Sequence, residues 1–290
     1  MESSFLTTVF LPLALFIIML GMGLGLTLAD FRRVITAPKP VLLGLAAQLV
    51  MLPILGWVLA ALFPLSPELA VGVVILSACP GGPTSNLVSY LVRGNVALSI
   101  TLTAISSLVT VFTIPLVVNW SMQQFLGEAV TLRLPFAQPV LLIAVITLIP
   151  ESLGMVLLHY LPRFAAKVEK AVKWLSLFFL ALIIVGLLVR ERANVGGFFV
   201  QVGWVTLTLN VLAMGLGYTI ATLTRLDHPS AKAISVEVGI QNGTLAITIA
   251  SVLLGNPTMA IPAAIYSLLM FLTSAVFAWV VQQRLRTTQA

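Results

Sequence analysis

The stretch SACPGGPTSNLVSY, residues 77–90, decides how this sequence folds. It interrupts an otherwise apolar segment with Pro80, Gly81, Gly82 and Pro83. Proline has no backbone N–H to donate and glycine carries a helix penalty, so an unbroken helix is not expected here. Irregular backbone at membrane depth is tolerated only where it is buried in protein or lines a wet cavity. The stretch therefore predicts a discontinuous helix that helps to build a site.

The composition places this stretch in a membrane protein. The chain has 290 residues, of which 60% are hydrophobic and 8% are charged, and its mean hydropathy is +1.12. A soluble domain carries about a quarter charged residues. The single cysteine excludes an internal disulfide, and a net charge of +6 reflects topology rather than nucleic-acid binding. We expect one all-α integral membrane domain over residues 1–290, with lipid and no nucleic acid among its partners.

Nine apolar segments are long enough to cross a bilayer, at about 20 residues per span. The loops between them are short and leave no room for a soluble domain. The segments run over 5–28, 40–63, 68–92, 96–121, 135–159, 170–189, 197–222, 230–254 and 258–283.

The basic residues predict the orientation of these spans. With the N-terminus outside, all of the 15 lysines and arginines fall on the cytoplasmic side except Arg133, Arg190 and Arg192. Cytoplasmic loops carry the excess of basic residues in membrane proteins. We therefore predict a multi-pass protein of the inner (plasma) membrane, with its N-terminus outside and its C-terminus in the cytoplasm.

A second break lies in the eighth segment, in SVEVGIQNGT over residues 235–244. Both broken segments are followed by a Gly-Asn dipeptide, at 94–95 and 255–256. The third and eighth segments are five spans apart, so they cross the membrane in opposite directions. This pattern is typical of an inverted repeat whose discontinuous helices meet near the midplane.

Glu237 lies beside the second break, inside the eighth span. A charge at this depth costs on the order of several kcal/mol unless it is paired, solvated or bound to an ion. No lysine or arginine lies near the middle of any predicted span. A bound cation or a proton is the predicted partner, and a protonated structural glutamate is the alternative. Three polar residues of other spans could converge on it: Gln48, Ser99 and Thr103.

Three motifs, LAAQLVMLP, SACPGGPTSNLVSYLVRGNVALSITLT and KAISVEVGIQNGTLA, resemble the bile acid:sodium symporter family, especially its bacterial members. The resemblance covers nearly the whole chain. It implies a core domain with two crossed discontinuous helices and a panel domain that moves relative to it. The panel would comprise segments 5–28, 135–159 and 170–189. The core would comprise 40–63, 68–92, 96–121, 197–222, 230–254 and 258–283.

The resemblance also implies two sodium ions at the crossing of the broken helices. The first site would use the side chains of Ser85, Asn86, Ser99, Thr103 and Glu237. The second would use Gln48, Glu237 and Gln241 with the backbone carbonyls of Val238 and Ile240. One glutamate shared by two cations partly offsets the charge of both.

The positions that would line the substrate cavity are Pro83, Thr84, Asn242, Met270 and Phe271. Family members that bind bile acids often have threonine at the position of Pro83. A His-Asn pair of a bile-acid-binding relative aligns with Met270 and Phe271. Bile acid and a smaller carboxylate, such as a 2-oxo or hydroxy acid, both remain open as the organic anion.

Two functions remain open at this point. The first is a sodium-coupled symporter, expected as a monomer, that imports an organic anion by alternating access. The second is a proton-coupled carrier or cation/proton antiporter, which is disfavoured because Asp30 and Asp227 both lie in predicted cytoplasmic loops. An enzyme is not expected, because the spans hold no paired aspartates, no serine with a histidine base and no zinc motif.

Glu151 follows Pro150 in the fifth span and is not expected from the family pattern. Two roles remain open for it. Either it faces an inward crevice and is simply solvated, or it takes part in proton or substrate handling.

Overall fold

The computed structural model describes residues 9–127, 137–190 and 195–289, and every regular element within them is helical. The remaining residues lie outside the described ranges; they include Arg133, Arg192 and the predicted span residues 5–8 and 135–136. The α-helices are α1 (Leu11–Gly23), α2 (Leu28–Thr36), α3 (Pro38–Ala46), α4 (Leu52–Leu62), α5 (Pro67–Ala78), α6 (Ser85–Leu91), α7 (Val96–Leu126), α8 (Ala137–Tyr160), α9 (Pro162–Arg190), α10 (Val195–Leu223), α11 (His228–Gly239), α12 (Gly243–Thr248) and α13 (Ile261–Gln289).

The all-α, multi-pass prediction is confirmed. Within the described ranges, 6 helical stretches are long and apolar enough to cross a membrane, or 7 if α1 and α2, which are bent by 62°, form one span. The six are Pro38–Leu62, Val96–Leu126, Ala137–Tyr160, Pro162–Leu187, Gly196–Leu223 and Pro257–Gln283. The predicted third and eighth segments consist of short helices and do not meet this length criterion, so the count of nine spans stays a prediction.

Two stretches that the sequence reading treated as loops are helical. Residues 28–36 form α2, where Thr27 and Asp30 make a capping box and Arg33 pairs with Asp30 at 2.5 Å. The basic stretch that precedes the predicted span 170–189 belongs to α9, which begins at Pro162. The apolar-run criterion misses both because amphipathic and basic helices carry no long apolar run. Asp30 is consequently buried in a helical cap rather than exposed in a loop.

The two broken segments satisfy each other's backbone. α5 ends at Ala78 and α6 begins only at Ser85, while α11 ends at Gly239 and α12 begins at Gly243. Between them, Gly82 N donates to Ile240 O at 2.8 Å, and Asn242 N donates to Pro80 O at 3.0 Å. A Cβ at Gly82 would lie 2.8 Å from Gln241 O, so the approach requires a residue without a side chain. This short antiparallel pairing supplies hydrogen bonds that lipid could not.

The helices pack in two groups that meet around α7. α1 packs against α8 and α9, and α10 packs against α11 and α13. α7 contacts both α8 and α11. The contact between α1 and α8 is close, because a Cβ at Gly154 would lie 2.5 Å from Leu20 O. Small residues of this kind let membrane helices approach closely.

Candidate functional site

Glu237 lies at the crossing of the broken segments and is fully buried. The Ser99 hydroxyl donates to Glu237 Oε2 at 2.8 Å, and the Thr103 hydroxyl donates to Oε1 at 2.5 Å. Ser99 and Thr103 are one turn apart on α7, so they reach the same carboxylate. Each carboxylate oxygen has more than one acceptor position, so both can still contact a cation.

The surroundings of Glu237 are polar but hold no counter-charge. The Ser85 hydroxyl lies 3.4 Å from the Thr103 hydroxyl, and the Ser89 hydroxyl donates to Ser99 Oγ at 3.2 Å. Arg33, which pairs with Asp30, reaches α7 at Ala97 O and Thr101 Oγ1, and none of these hydrogen bonds goes to Glu237. A cluster of hydroxyl oxygens around one buried carboxylate is the donor set that a hard cation such as sodium prefers.

Gly81 brings the first break against this carboxylate. A Cβ built at Gly81 would collide with Glu237 Oε1. Glycine at residue 81 therefore has two effects. It disfavours a continuous helix, and it allows the backbone to contact the buried Glu237 carboxylate.

A second polar group surrounds Gln48, which lies in a π-helical turn, Ala47–Met51, between α3 and α4. Gln48 Nε2 donates to Cys79 O at 3.0 Å and to Gln241 Oε1 at 2.8 Å. Gln241 Nε2 donates in turn to Val238 O at 2.7 Å. π-Helical turns occur frequently at functional sites, because they reorient one side chain within a helix.

The structure therefore groups the predicted sodium ligands into two clusters. Ser85, Ser99, Thr103 and Glu237 form the first, and Gln48, Gln241 and the Val238 carbonyl form the second. The Ile240 carbonyl already accepts from Gly82 N. The hydrogen bonds of Glu237 all go to the first cluster, so the carboxylate is not brought into hydrogen-bond contact with the second.

Asn86 and Thr84 carry unpaired oxygens at the first break. Asn86 Oδ1 and Thr84 Oγ1 are both buried and have no hydrogen-bond partner among the residues that the structure describes. Both residues line a cavity of about 350 Å³. Buried polar atoms in proteins are nearly always paired, so two orphaned oxygens at one cavity are a mark of ligand binding.

This cavity lies between α1 and α9 on one side and the two breaks on the other. Pro83, Asn242 and Met270 line it, as the sequence reading expects. Phe271 instead packs against the main hydrophobic core, because neighbouring residues of a helix point about 100° apart. Asn242 also caps α12 by accepting from Leu245 N at 3.0 Å.

Several residues of the site are not among those predicted from the sequence. Glu169 and Ser176 of α9 line the cavity, and Glu169 lies just before the predicted start of the sixth span. Asn210 Nδ2 and the Tyr266 hydroxyl both donate to Gly239 O, at 2.7 and 2.8 Å. Asn210 donates to the carbonyl at the end of α11, just as Gln48 donates to the Cys79 carbonyl after α5. Gln48 and Asn210 lie in predicted spans that are five apart, like the two breaks, and this offset could have identified Asn210 from the sequence.

Comparison with known proteins assigns the chain to a family. The sequence model of the Sodium Bile acid symporter family matches residues 12–198. The chain belongs to this family. It is 31% identical over 287 residues to "Uncharacterized sodium-dependent transporter YocS" of Bacillus subtilis, covering 97% of this chain and 85% of the relative.

Two chloroplast relatives have about the same sequence identity to this chain as the Bacillus subtilis protein. "Probable sodium/metabolite cotransporter BASS1, chloroplastic" of Arabidopsis thaliana is 32% identical over 266 residues, or 90% of this chain. The protein of the same name from Oryza sativa is 31% identical over 250 residues, or 86% of this chain. The chain spans 64% and 60% of the length of these two relatives.

The family assignment confirms three predictions. The chain is a transporter of a sodium-dependent family, it is not an enzyme, and its bacterial resemblance agrees with the relative from Bacillus subtilis.

Proposed function

We propose that this chain is a sodium-coupled symporter that imports an organic anion across the plasma membrane. The observation that carries the proposal is the buried Glu237 carboxylate, which is held by hydroxyl groups at the crossing of two broken helices. A buried carboxylate without a basic partner is costly, and a bound cation removes that cost.

The first sodium ion would bind between Glu237, Ser85, Ser99 and Thr103. Asn86 would complete this set, because its buried Oδ1 has no other partner. All of these are oxygen ligands, which suit a hard cation.

The second sodium ion would bind beside Gln48 and Gln241, with the carbonyls of Val238 and Ile240 as backbone ligands. The support is their proximity in the second cluster, together with the π-helical turn that carries Gln48. Here the amide pair between Gln48 and Gln241 would rearrange so that both side-chain oxygens face the ion. Glu237 would then lie between the two sites and offset part of the charge of each.

The substrate would bind in the adjoining cavity, next to Pro83, Thr84, Asn242 and Met270. The described lining contains no lysine or arginine, so bound sodium would be the positive charge that attracts the anion. This arrangement explains coupling, because the anion would bind well only after sodium. A cavity of about 350 Å³ is at the small end of ligand sites and favours a 2-oxo or hydroxy acid over a bile acid.

Alternating access would come from motion of the panel (α1, α8 and α9) against the core. The cavity supports this division, since one wall belongs to α1 and α9 and the other to the breaks. We further propose nine spans in an inverted repeat, with the N-terminus outside and a monomeric transporter. The paired breaks and the matched roles of Gln48 and Asn210 support the repeat.

The test is a thermal-shift screen of the purified protein against 2-oxo acids, 2-hydroxy acids and taurocholate, in sodium and in choline buffer. A ligand that binds only the folded state raises Tm, and we expect this rise only when sodium is present. Uptake of the best ligand into proteoliposomes should then require an inward sodium gradient. Equal uptake in choline would refute sodium coupling, and uptake driven by a pH gradient alone would support the proton-coupled alternative.

A further inference from the structure

Glu151 is a second buried acid that the proposed sodium sites do not use. It lies on α8 directly after Pro150 and is 5% exposed. Of the two roles left open by the sequence, this burial contradicts the first, in which Glu151 is simply solvated in an inward crevice.

The partner of Glu151 comes from another helix. Its carboxyl group faces Ser107 of α7, which is 2% exposed. Glu151 Oε1 and Ser107 Oγ are both buried, and within the described ranges neither has a hydrogen-bond partner of good geometry. A serine hydroxyl can donate to a carboxylate or accept from a carboxylic acid, so Ser107 can pair with Glu151 in either protonation state, and burial favours the neutral acid.

Ser107 also connects this pair to the first cluster. Ser99, Thr103 and Ser107 are spaced four residues apart, so they lie on one face of α7. Ser107 is one turn, or about 6 Å along the axis, beyond Thr103. Glu237 of α11 and Glu151 of α8 therefore both lie against the same polar face of α7.

The ionisable groups that could balance an ionised Glu151 lie on α8 and on the described helices packed against it. These helices are α1, α7 and α9. α1 and α7 contain no ionisable residue. α8 itself carries His159 and Tyr160 at its end. The ionisable residues of α9 are Arg163, Lys167, Glu169, Lys170, Lys173 and Arg190.

We propose that Glu151 and Ser107 form a proton-binding site at the contact between α8 and α7. A proton taken up from hydronium in the solvent converts the carboxylate to a carboxylic acid, whose O–H donates a hydrogen bond to Ser107 Oγ. Binding favours the packed arrangement of the two helices, because it removes a buried charge. Loss of the proton leaves a carboxylate that favours separation and hydration. If the panel moves as proposed above, low pH favours the arrangement described here and high pH favours opening of this contact.

The test that does not depend on transport is infrared spectroscopy of the protein in saturating sodium, as a function of pH. Wild type should show the band of a protonated carboxylic acid that disappears as the pH rises. Glu151→Gln should lose this band, and Ser107→Ala should shift its frequency because the hydrogen bond is lost. Glu68→Gln, which removes a half-buried acid at the start of α5, is the matched control and should keep it.

Recording the same spectra in Glu237→Gln separates this proposal from the proposed function. The band assigned to Glu151 should persist in that variant whether or not Glu237 binds sodium. A spectrum unchanged by Glu151→Gln would overturn the proton site. A Glu151→Gln variant that keeps the wild-type spectrum but loses a bound sodium ion would show that the site takes sodium instead.

A transport measurement supplies the second readout. Uptake by wild type should vary severalfold between mildly acidic and mildly basic pH, and Glu151→Gln, which mimics the neutral acid, should lose that dependence. Identical pH profiles for wild type and Glu151→Gln would contradict the proposal.

Discussion

Replacing Thr103 by valine tests the first cluster with the least disturbance. The substitution keeps the branched shape of the side chain and removes only the hydroxyl that donates to Glu237 Oε1 at 2.5 Å. Hydrogen bonds to charged groups contribute about 1.5–3 kcal/mol. If the same oxygen is a sodium ligand of similar strength, the loss corresponds to a sodium half-saturation concentration about 10- to 150-fold higher.

The assay is sodium binding by the purified protein, with sodium-dependent thermal stabilisation as the readout, followed by the sodium dependence of uptake. Thr206→Val is the matched control, because Thr206 is fully buried on α10 and its hydroxyl donates to Val202 O at 2.8 Å in its own helix. The control should leave the sodium dependence unchanged. Equal sodium affinity in Thr103→Val and Thr206→Val would refute the role of this hydroxyl.

Two further substitutions test the neighbouring groups. Gly81→Ala should abolish sodium-dependent uptake, because the added Cβ displaces the Glu237 carboxylate. Gly215→Ala is the control and should keep uptake, because Gly215 has open space around it. Equal uptake by the two variants would contradict the close approach of Gly81 to Glu237. Gln48→Met should lower the thermal stability in detergent, because it leaves the Cys79 carbonyl and the Gln241 amide without their hydrogen-bond partner. Each unpaired group costs about 1–3 kcal/mol. An unchanged Tm would show that these hydrogen bonds do not hold the second cluster together.

Much of the site could be predicted from short stretches of the sequence. Proline and glycine at residues 80–83 and 239–243 mark helix breaks wherever they occur in an apolar segment, because their effects are intrinsic to the backbone. Glu237 was predicted to be a site residue because a charged side chain inside a span is costly unless it is paired, solvated or bound to an ion. The four-residue spacing of Ser99 and Thr103 placed both on one face, and the structure confirms that they reach the same carboxylate.

The rest depends on contacts between residues that are distant in the sequence. Gln48 and Gln241 are 193 residues apart, and the hydrogen bond between their side chains follows only from the packed helices. The burial of Glu151 is likewise a consequence of how α8 lies on α7 and α1. Helix α2 was missed because a count of apolar residues does not detect a short amphipathic helix held by its cap.

The central claim is that the buried carboxylate at the crossing of the broken helices binds sodium. Equilibrium sodium binding to purified wild type, Glu237→Gln and Glu68→Gln, measured by isothermal titration calorimetry, tests it most directly. We expect saturable sodium binding by wild type and Glu68→Gln, and none at this site in Glu237→Gln. Sodium binding by Glu237→Gln with the affinity and stoichiometry of wild type would contradict it.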